Sequence, residues 1–301
     1  AGKSEKPDMN IFLKLKDLDR RIIFIFVALA VVIPLLKPIG FKVKPGEYVR
    51  SLHGFIDKLP EGTRVFMSFD YDPASAPELH PAAIAMMVHM FRKNLKPVCG
   101  ANWPVGGDLA NQALETAITK LKSSTDPKEK AMGEKLVDGR DYVNLGYKPG
   151  GIIQVKRMIA SFLGPYPTDM TGKPTVTMPI FQNTDKRPFA MSDIGIIVSF
   201  TAGTGGIETY ISVASEHKRP MAAGCTSVNI PRFYTYIQTK QMVGMTGGMP
   251  GAAEYETMIK FPGTATSGMD SQSICHLIII LFIILGNLAY IAESRVAARK
   301  S

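Results

Sequence analysis

The sequence predicts an α/β fold: an open, mostly parallel sheet with helices on both faces, flanked by N- and C-terminal transmembrane helices. Three observations carry that prediction. Short apolar runs alternate with helical patterns through the middle of the chain. Several of those runs end in glycine-rich turns that open onto a helix, the pattern of a parallel sheet covered on both sides. Each end of the chain carries an apolar run with basic residues beside it.

In chain order, residues 1–21 form a basic segment with Lys3, Lys6, Lys14, Lys16, Arg20 and Arg21. Met9, Ile11, Phe12, Leu13, Leu15 and Leu18 make an imperfect apolar stripe at helical spacing. The segment reads as a stop before a membrane helix or as an amphipathic helix on anionic lipid. Residues 22–41 read as the first transmembrane helix. Twelve of the fifteen residues in 22–36 are Ile, Leu, Val or Phe. Pro34 is expected to kink its outer end. A cleaved signal peptide is the competing reading, and the Ala28-Leu29-Ala30 triplet, inside the run and not after it, speaks against it.

Residues 42–273 read as one α/β domain of five or six strands. Strands are expected at 64–69, 96–101, 142–145, 194–200, 219–224 and 241–245. Helices are expected at 80–93 with Pro81 in the first turn, at 109–122 with Asp108 as its cap, and at 150–162, 207–217, 231–240 and 252–259. Residues 123–140 read as loop plus a solvated helix. Residues 164–192, with five prolines, form the longest irregular stretch, a candidate lid or partner-contact loop.

Residues 274–292, ICHLIIILFIILGNLAYIA, hold no formal charge, and twelve of them are Leu, Ile or Phe. At about −0.3 to −0.6 kcal/mol each, these favour insertion by roughly 4 to 7 kcal/mol. Nineteen residues at ~1.5 Å each span nearly the ~30 Å of a bilayer's hydrocarbon. A buried core helix is the alternative, but soluble helices rarely stay apolar on every face. Asn287, with Gly286 beside it, suits packing against another helix. Residues 293–301 form a basic tail. Six basic residues precede the first run against Lys37, Lys42, Lys44 and Arg50 after it, and Arg295, Arg299 and Lys300 follow the second against Lys260 before it; this bias favours both termini in the cytoplasm and the domain on the far side as a two-span hairpin anchor.

The net charge of +9 concentrates at those ends. Residues 41–273 contain 25 Lys/Arg and 21 Asp/Glu. The charge therefore fits membrane orientation and lipid contact, and no basic motif interleaved with aromatics points to nucleic acid. Three cysteines give no disulfide framework, and Cys99 and Cys225 pair only if the fold joins them. The histidines show no metal-ligand spacing.

In parallel sheets ligands gather at strand carboxyl ends. The turn Thr201-Ala202-Gly203-Thr204-Gly205-Gly206, leading to Glu208, is the first candidate. Its glycines let backbone N–H groups approach an anion or a sugar hydroxyl, or they serve only as a tight turn. Glu208 would repel an anion. Thr226 and the second turn, with Gly247 and Gly248, share the same sheet edge. Asp70 and Asp72 are alternate carboxylates suited to Mg²⁺ or Ca²⁺, a D-x-D arrangement used by some transferases. Capping of the turn at Asp72-Pro73 is the structural alternative. No catalytic residue is assigned.

Three runs carry a resemblance: DYDPASAPEL, GIETYI with GCTS, and GAAEYE with GMDSQSICHLIIILFIILGN. Over most of residues 60–290 they resemble a group of uncharacterised bacterial membrane-anchored α/β proteins. The resemblance implies a bacterial inner membrane and a domain that travels with its second span. It assigns no site. The expectation is a Rossmann-like, membrane-anchored domain acting as a ligand- or partner-binding subunit of a homo-oligomer or larger membrane complex, in contact with lipid. The alternatives are a membrane-bound hydrolase or transferase using Asp70 and Asp72, and a purely structural scaffold subunit.

Overall fold

A computed structural model describes residues 19–41, 43–183 and 185–298. Most of the basic N-terminal segment and the last three residues of the tail lie outside the described residues. The chain forms two compact units. One is Lys42–Thr266, and the other comprises the described residues up to Phe41 and from Ser267 onward.

The larger unit is an α/β sandwich. Its strands are β1 Arg64–Asp70, β2 Lys96–Ala101, β3 Val143–Tyr147, β4 Ile194–Thr201, β5 Met221–Cys225 and β6 Met245–Gly247. They form a single six-stranded sheet in the order β3-β2-β1-β4-β5-β6, every pair parallel. Strands buried on both faces read as continuous apolar runs. In β1 every residue after Arg64 is buried.

Within this unit the helices are α2 Glu47–Asp57, α3 Ala76–Arg92, α4 Gly106–Lys122, α5 Pro127–Lys135, α6 Gly151–Ala160, α7 Ile207–Glu216, α8 Ile230–Gln238 and α9 Gly248–Met258, numbered after α1 Arg20–Leu36 of the smaller unit. On one side of the sheet α3 packs between α4 and α9, with α2 beyond α9. On the other, α6 packs on α7. There the core joins Phe66 and Ile197 of the sheet to Phe162, Tyr166, Phe189 and Tyr210.

Several elements differ from expectation. Helix α2 was not anticipated. Helix α3 starts at Ala76, placing Pro81 in its interior, with Pro77 in the first turn where a missing N–H is harmless. Helix α4 starts at Gly106, so Asp108 lies inside the first turn, near the positive helix end, and is not the cap. A Cβ on Gly106 would stand 1.9 Å from the Phe69 carbonyl oxygen, so only glycine lets this turn approach β1. Residues 164–192 form the expected irregular stretch, with short 3-10 turns at Thr175–Thr177 and Pro179–Phe181, and it is packed onto the domain. Tyr166, Ile180, Phe181, Phe189 and Met191 are buried in the core. Arg64 Nε donates to the Ile180 carbonyl at 2.9 Å and Nη2 to that of Gln182 at 2.8 Å, pinning the segment beneath the sheet.

The last helix, α10, runs Thr264–Ala298. Among the described residues, its Thr264–Ile291 portion is the one stretch long and apolar enough to cross a membrane, with mean hydropathy 2.5. Helix α1 is a shorter apolar helix and continues through Pro34 to Leu36. In the smaller unit the two pack together. Phe26 meets Phe282 edge-on at 6.1 Å, and Ser271 Oγ donates to the Val31 carbonyl at 3.1 Å. The Asp270 carboxylate accepts the backbone N–H groups of Ile39, Gly40 and Phe41 at 2.8 to 2.9 Å.

Buried Glu256 of α9 accepts the N–H groups of Gly263, Ala265 and Thr266 and the Thr266 hydroxyl. Charge-assisted bonds of this kind contribute ~1.5–3 kcal/mol apiece, and a buried donor left unpaired is costly. Glu256→Ala is expected to cost about 3 kcal/mol or more, with Glu256→Gln costing less. Thermal unfolding of the two variants in detergent checks this.

Candidate functional site

Ligands of open parallel sheets collect outside the strand carboxyl ends where the strand order reverses. Here the reversal falls between β1 and β4, whose last residues, Asp70 and Thr201, are register partners. Asp70 is fully buried. Strand periodicity puts Ser68 on the same face. Ser68 Oγ lies 2.6 Å from Asp70 Oδ2 and 2.9 Å from the Tyr210 hydroxyl. The Asn102 backbone N–H donates to Asp70 Oδ1 at 2.6 Å, and Asn102 Nδ2 donates to Tyr210 at 3.0 Å.

A hydroxyl has one proton to give. With Ser68 donating to the carboxylate, Tyr210 donates to Ser68. The chain therefore runs from the Asn102 amide through Tyr210 and Ser68 to Asp70, each link polarising the next. Burial outweighs these bonds and pushes Asp70 up to about 6. Burial, reinforced by the Asp70 charge, pushes Tyr210 far up, so it stays a neutral donor. The result is a carboxyl group that changes charge close to neutral pH, the range suited to proton transfer and to ligand-linked ionisation.

Around it, the structure gives several of the expected ligand-binding residues a packing role. A Cβ on Gly206 would lie 1.7 Å from Thr201 Oγ1, one on Gly247 2.4 Å from Ile230 Cδ1, and one on Gly248 1.9 Å from Ser227 Oγ. Thr201 is buried and donates to the Asp70 carbonyl at 3.4 Å. Thr226 is buried and accepts from Asn229 Nδ2 at 2.9 Å. Asn229 also donates to the Ala202 carbonyl at 3.0 Å, joining the loops after β4 and β5. Glu78 reaches over from α3 to accept the Ser227 N–H at 2.7 Å.

The outward part of the rim is smaller than expected. Thr204 and Gly205 are exposed, and the half-buried Trp103 ring lies against Gly203. Glu208 sits in the first turn of α7, 2.8 Å from Arg232 Nη2 in an ion pair that is not aligned as a hydrogen bond. Buried Asn102 Oδ1 has no partner among the described residues. Ser68, Tyr210, Asn229 and Glu78 were missed from sequence. Ser68 alone carried a signal there, two residues before Asp70.

Asp70 and Asp72 bond different partners. Asp72 lies beyond the strand and accepts the Ser75 N–H at 2.9 Å, which holds it below the usual carboxylate range. Buried Tyr71 between them bonds His80 Nδ1 at 2.8 Å. Among the described residues no group of three or more His, Cys, Asp or Glu is placed to hold a metal ion. Cys99 and Cys225 are free and buried. They lie three strand spacings apart, about 14 Å, beyond disulfide reach. Burial raises both thiols, Cys225 to about 12. A separate polar knot joins α2, α3 and α9. His53 stacks on His89 at 4.5 Å, and His89 Nδ1 bonds the Tyr255 hydroxyl at 2.8 Å. Burial, then repulsion from His53, pushes His89 down to about 4.

No protein-family model, no curated protein and no solved structure matches the chain. What the site does must therefore follow from its own geometry.

An acid whose folded pKa is raised stabilises the fold fully below its unfolded value and loses that contribution as pH rises through the folded one. For Asp70 the window runs from 3.8 to about 6, a difference of about 3 kcal/mol. His89 acts in the opposite sense, since its lowered pKa costs stability as pH falls from 6.5 to about 4. The comparison of wild type with Asp70→Asn isolates the first effect. The variant is expected to gain on wild type by about 3 kcal/mol between pH 4 and 7 and to level off above, read by denaturant unfolding across that range.

Proposed function

We propose that this chain is a membrane-anchored, ligand-binding subunit whose α/β domain takes a small hydroxyl- or amine-bearing molecule at the β1/β4 edge. The observation that supports this is the accepting character of the rim. Beneath the exposed loop, the Asp70 carboxyl accepts from Ser68 and Asn102, while the buried oxygens of Glu208 and Asn102 Oδ1 are acceptors that no donor among the described residues reaches, and the neighbouring Arg232 is already paired with Glu208. Such a set favours a ligand that donates. The uncapped start of α7 favours negative charge, but Glu208 in its first turn opposes it.

The membrane reading is supported by α10 and by the basic flanks. Helix α1, at 17 residues or ~26 Å, is short for a span, and Lys37 at its end can snorkel. We take the pair as a two-span hairpin in a bacterial inner membrane, with both termini cytoplasmic and the domain outside. A metal-dependent hydrolase or transferase on Asp70 and Asp72 has less support, since the two carboxylates serve different partners. A purely structural scaffold leaves the buried carboxyl at the strand reversal without a purpose.

The ligand reading predicts that a sugar or amino sugar raises the unfolding midpoint of the full chain in detergent. At ten times its Kd the gain is ~1.4 kcal/mol, or about 3–6 °C. Thr204→Trp, which fills the exposed rim, is expected to remove the shift. A response confined to phosphate-bearing compounds would contradict the reading. For topology, Val228 is 85 % exposed. Val228→Cys is expected to react with a membrane-impermeant thiol reagent added to intact cells, where wild type does not.

A further inference from the structure

Helix α10 carries polar side chains of two kinds. Asp270 and Ser271 find their partners inside the smaller unit. His276, Asn287 and Tyr290 are exposed, and among the described residues no hydrogen bond reaches their side chains. These three fall on one line with Ile280 and Ile283, which are 53 % and 57 % exposed. The spacing is four, three, four, three, the seam of a left-handed coiled coil. At ~100° per residue all five lie within about 40° of a common line, and Ser271 and Phe282, which contact α1, lie about 130° away. Gly286 borders the seam, and a Cβ there would meet nothing within 4 Å.

We propose that this seam is a self-association face: two copies of the chain pair in parallel through α10, with Asn287 hydrogen-bonded to the same residue of the second copy. The inference rests on α10 being a membrane span. Hydrocarbon offers an amide no partner, so an exposed one on a span needs a neighbouring helix. Two copies inserted in one membrane point the same way, so their residues 287 lie at equal depth. A two-fold axis along the membrane normal then brings amide to amide, and a carboxamide, with one donor end and one acceptor end, is its own complement. Open Gly286 lets the backbones approach. A single polar residue in such a seam also fixes register.

The test uses the full chain in native membranes, in a Cys275→Ser background. Ile280→Cys and Ile283→Cys are expected to form disulfide-linked dimers on copper–phenanthroline oxidation. Leu281→Cys and Leu288→Cys, on another exposed face, are not. In detergent, Asn287→Leu is expected to weaken the dimer roughly three- to twentyfold, read by sedimentation over a concentration series, and Asn287→Gln to retain most of it. Leucine is more apolar at this position, so the change leaves insertion intact. Cross-linking through residues 281 and 288, equal cross-linking at all four positions, or a monomer at every concentration would overturn the proposal. So would a different protein captured at residues 280 and 283. Release of wild type by carbonate washing would instead overturn the span reading. Absent dimers in a carbonate-resistant protein would sink the seam alone.

Discussion

One residue ties the two halves of the sheet together at the strand reversal of this domain. Asp70 ends the central strand, and its side chain and its backbone face opposite halves of the sheet. The carboxylate accepts the Asn102 N–H on the β2 side. The carbonyl oxygen accepts the Ala202 N–H at 3.3 Å and the Thr201 hydroxyl on the β4 side. A parallel sheet whose crossovers leave in opposite directions opens at this point, and the β1–β2 register ends at Ser68 and Gly100, two residues before Asp70. The side chain of Asp70 bonds the chain leaving β2 just beyond that register. Gly206 allows this closeness, because any larger residue would strike Thr201.

That arrangement is costly to the fold. A carboxylate removed from water is stabilised only by what it bonds, and here the bonds leave its pKa near 6. A buried apolar isostere or a neutral amide fills such a position at lower cost. Elsewhere the domain treats buried polarity differently. Glu256 is as buried as Asp70 but collects four donors, three of them backbone N–H groups. His89 avoids charge altogether. The half-compensated carboxyl stands at the strand reversal, which is where function in this architecture is expected to tolerate strain.

The sheet was largely legible because its strands are apolar runs whose ends are marked by turn residues. Residues 96–101 coincide with β2, and 194–200 fall one short of β4. Helix α2 is also legible, since Val49, Leu52 and Ile56 recur at helical spacing and are its buried face. Residues 164–192 are irregular as their composition predicts, but their burial was not legible, for a physical reason. Prolines and threonines give a loop's composition, while Tyr166, Phe181 and Phe189 have no period because each fills the core from an irregular backbone. The glycine turns posed the harder problem. Nothing in the run of letters says that Gly247 faces Ile230 or that Gly248 faces Ser227, so packing and ligand contact look alike. Tyr210 and Asn229 were invisible for the same reason: their roles depend on residues 142 and 27 positions away.

The two chain ends follow a different logic. A helix apolar on every side has no amphipathic direction, so its composition says that it is buried in something without saying which face meets what. Its few polar residues break that degeneracy. Asp270 lies where three successive N–H groups of residues 39–41 converge on it, and this explains why a carboxylate is tolerated beside an apolar run. Among the described residues Asn287 has no such nest. In water, an exposed amide on a helix surface means nothing. On the proposed span it marks the face that is not meant for lipid, and the proposed pairing would give Asn287 the partner that residues 39–41 give Asp270.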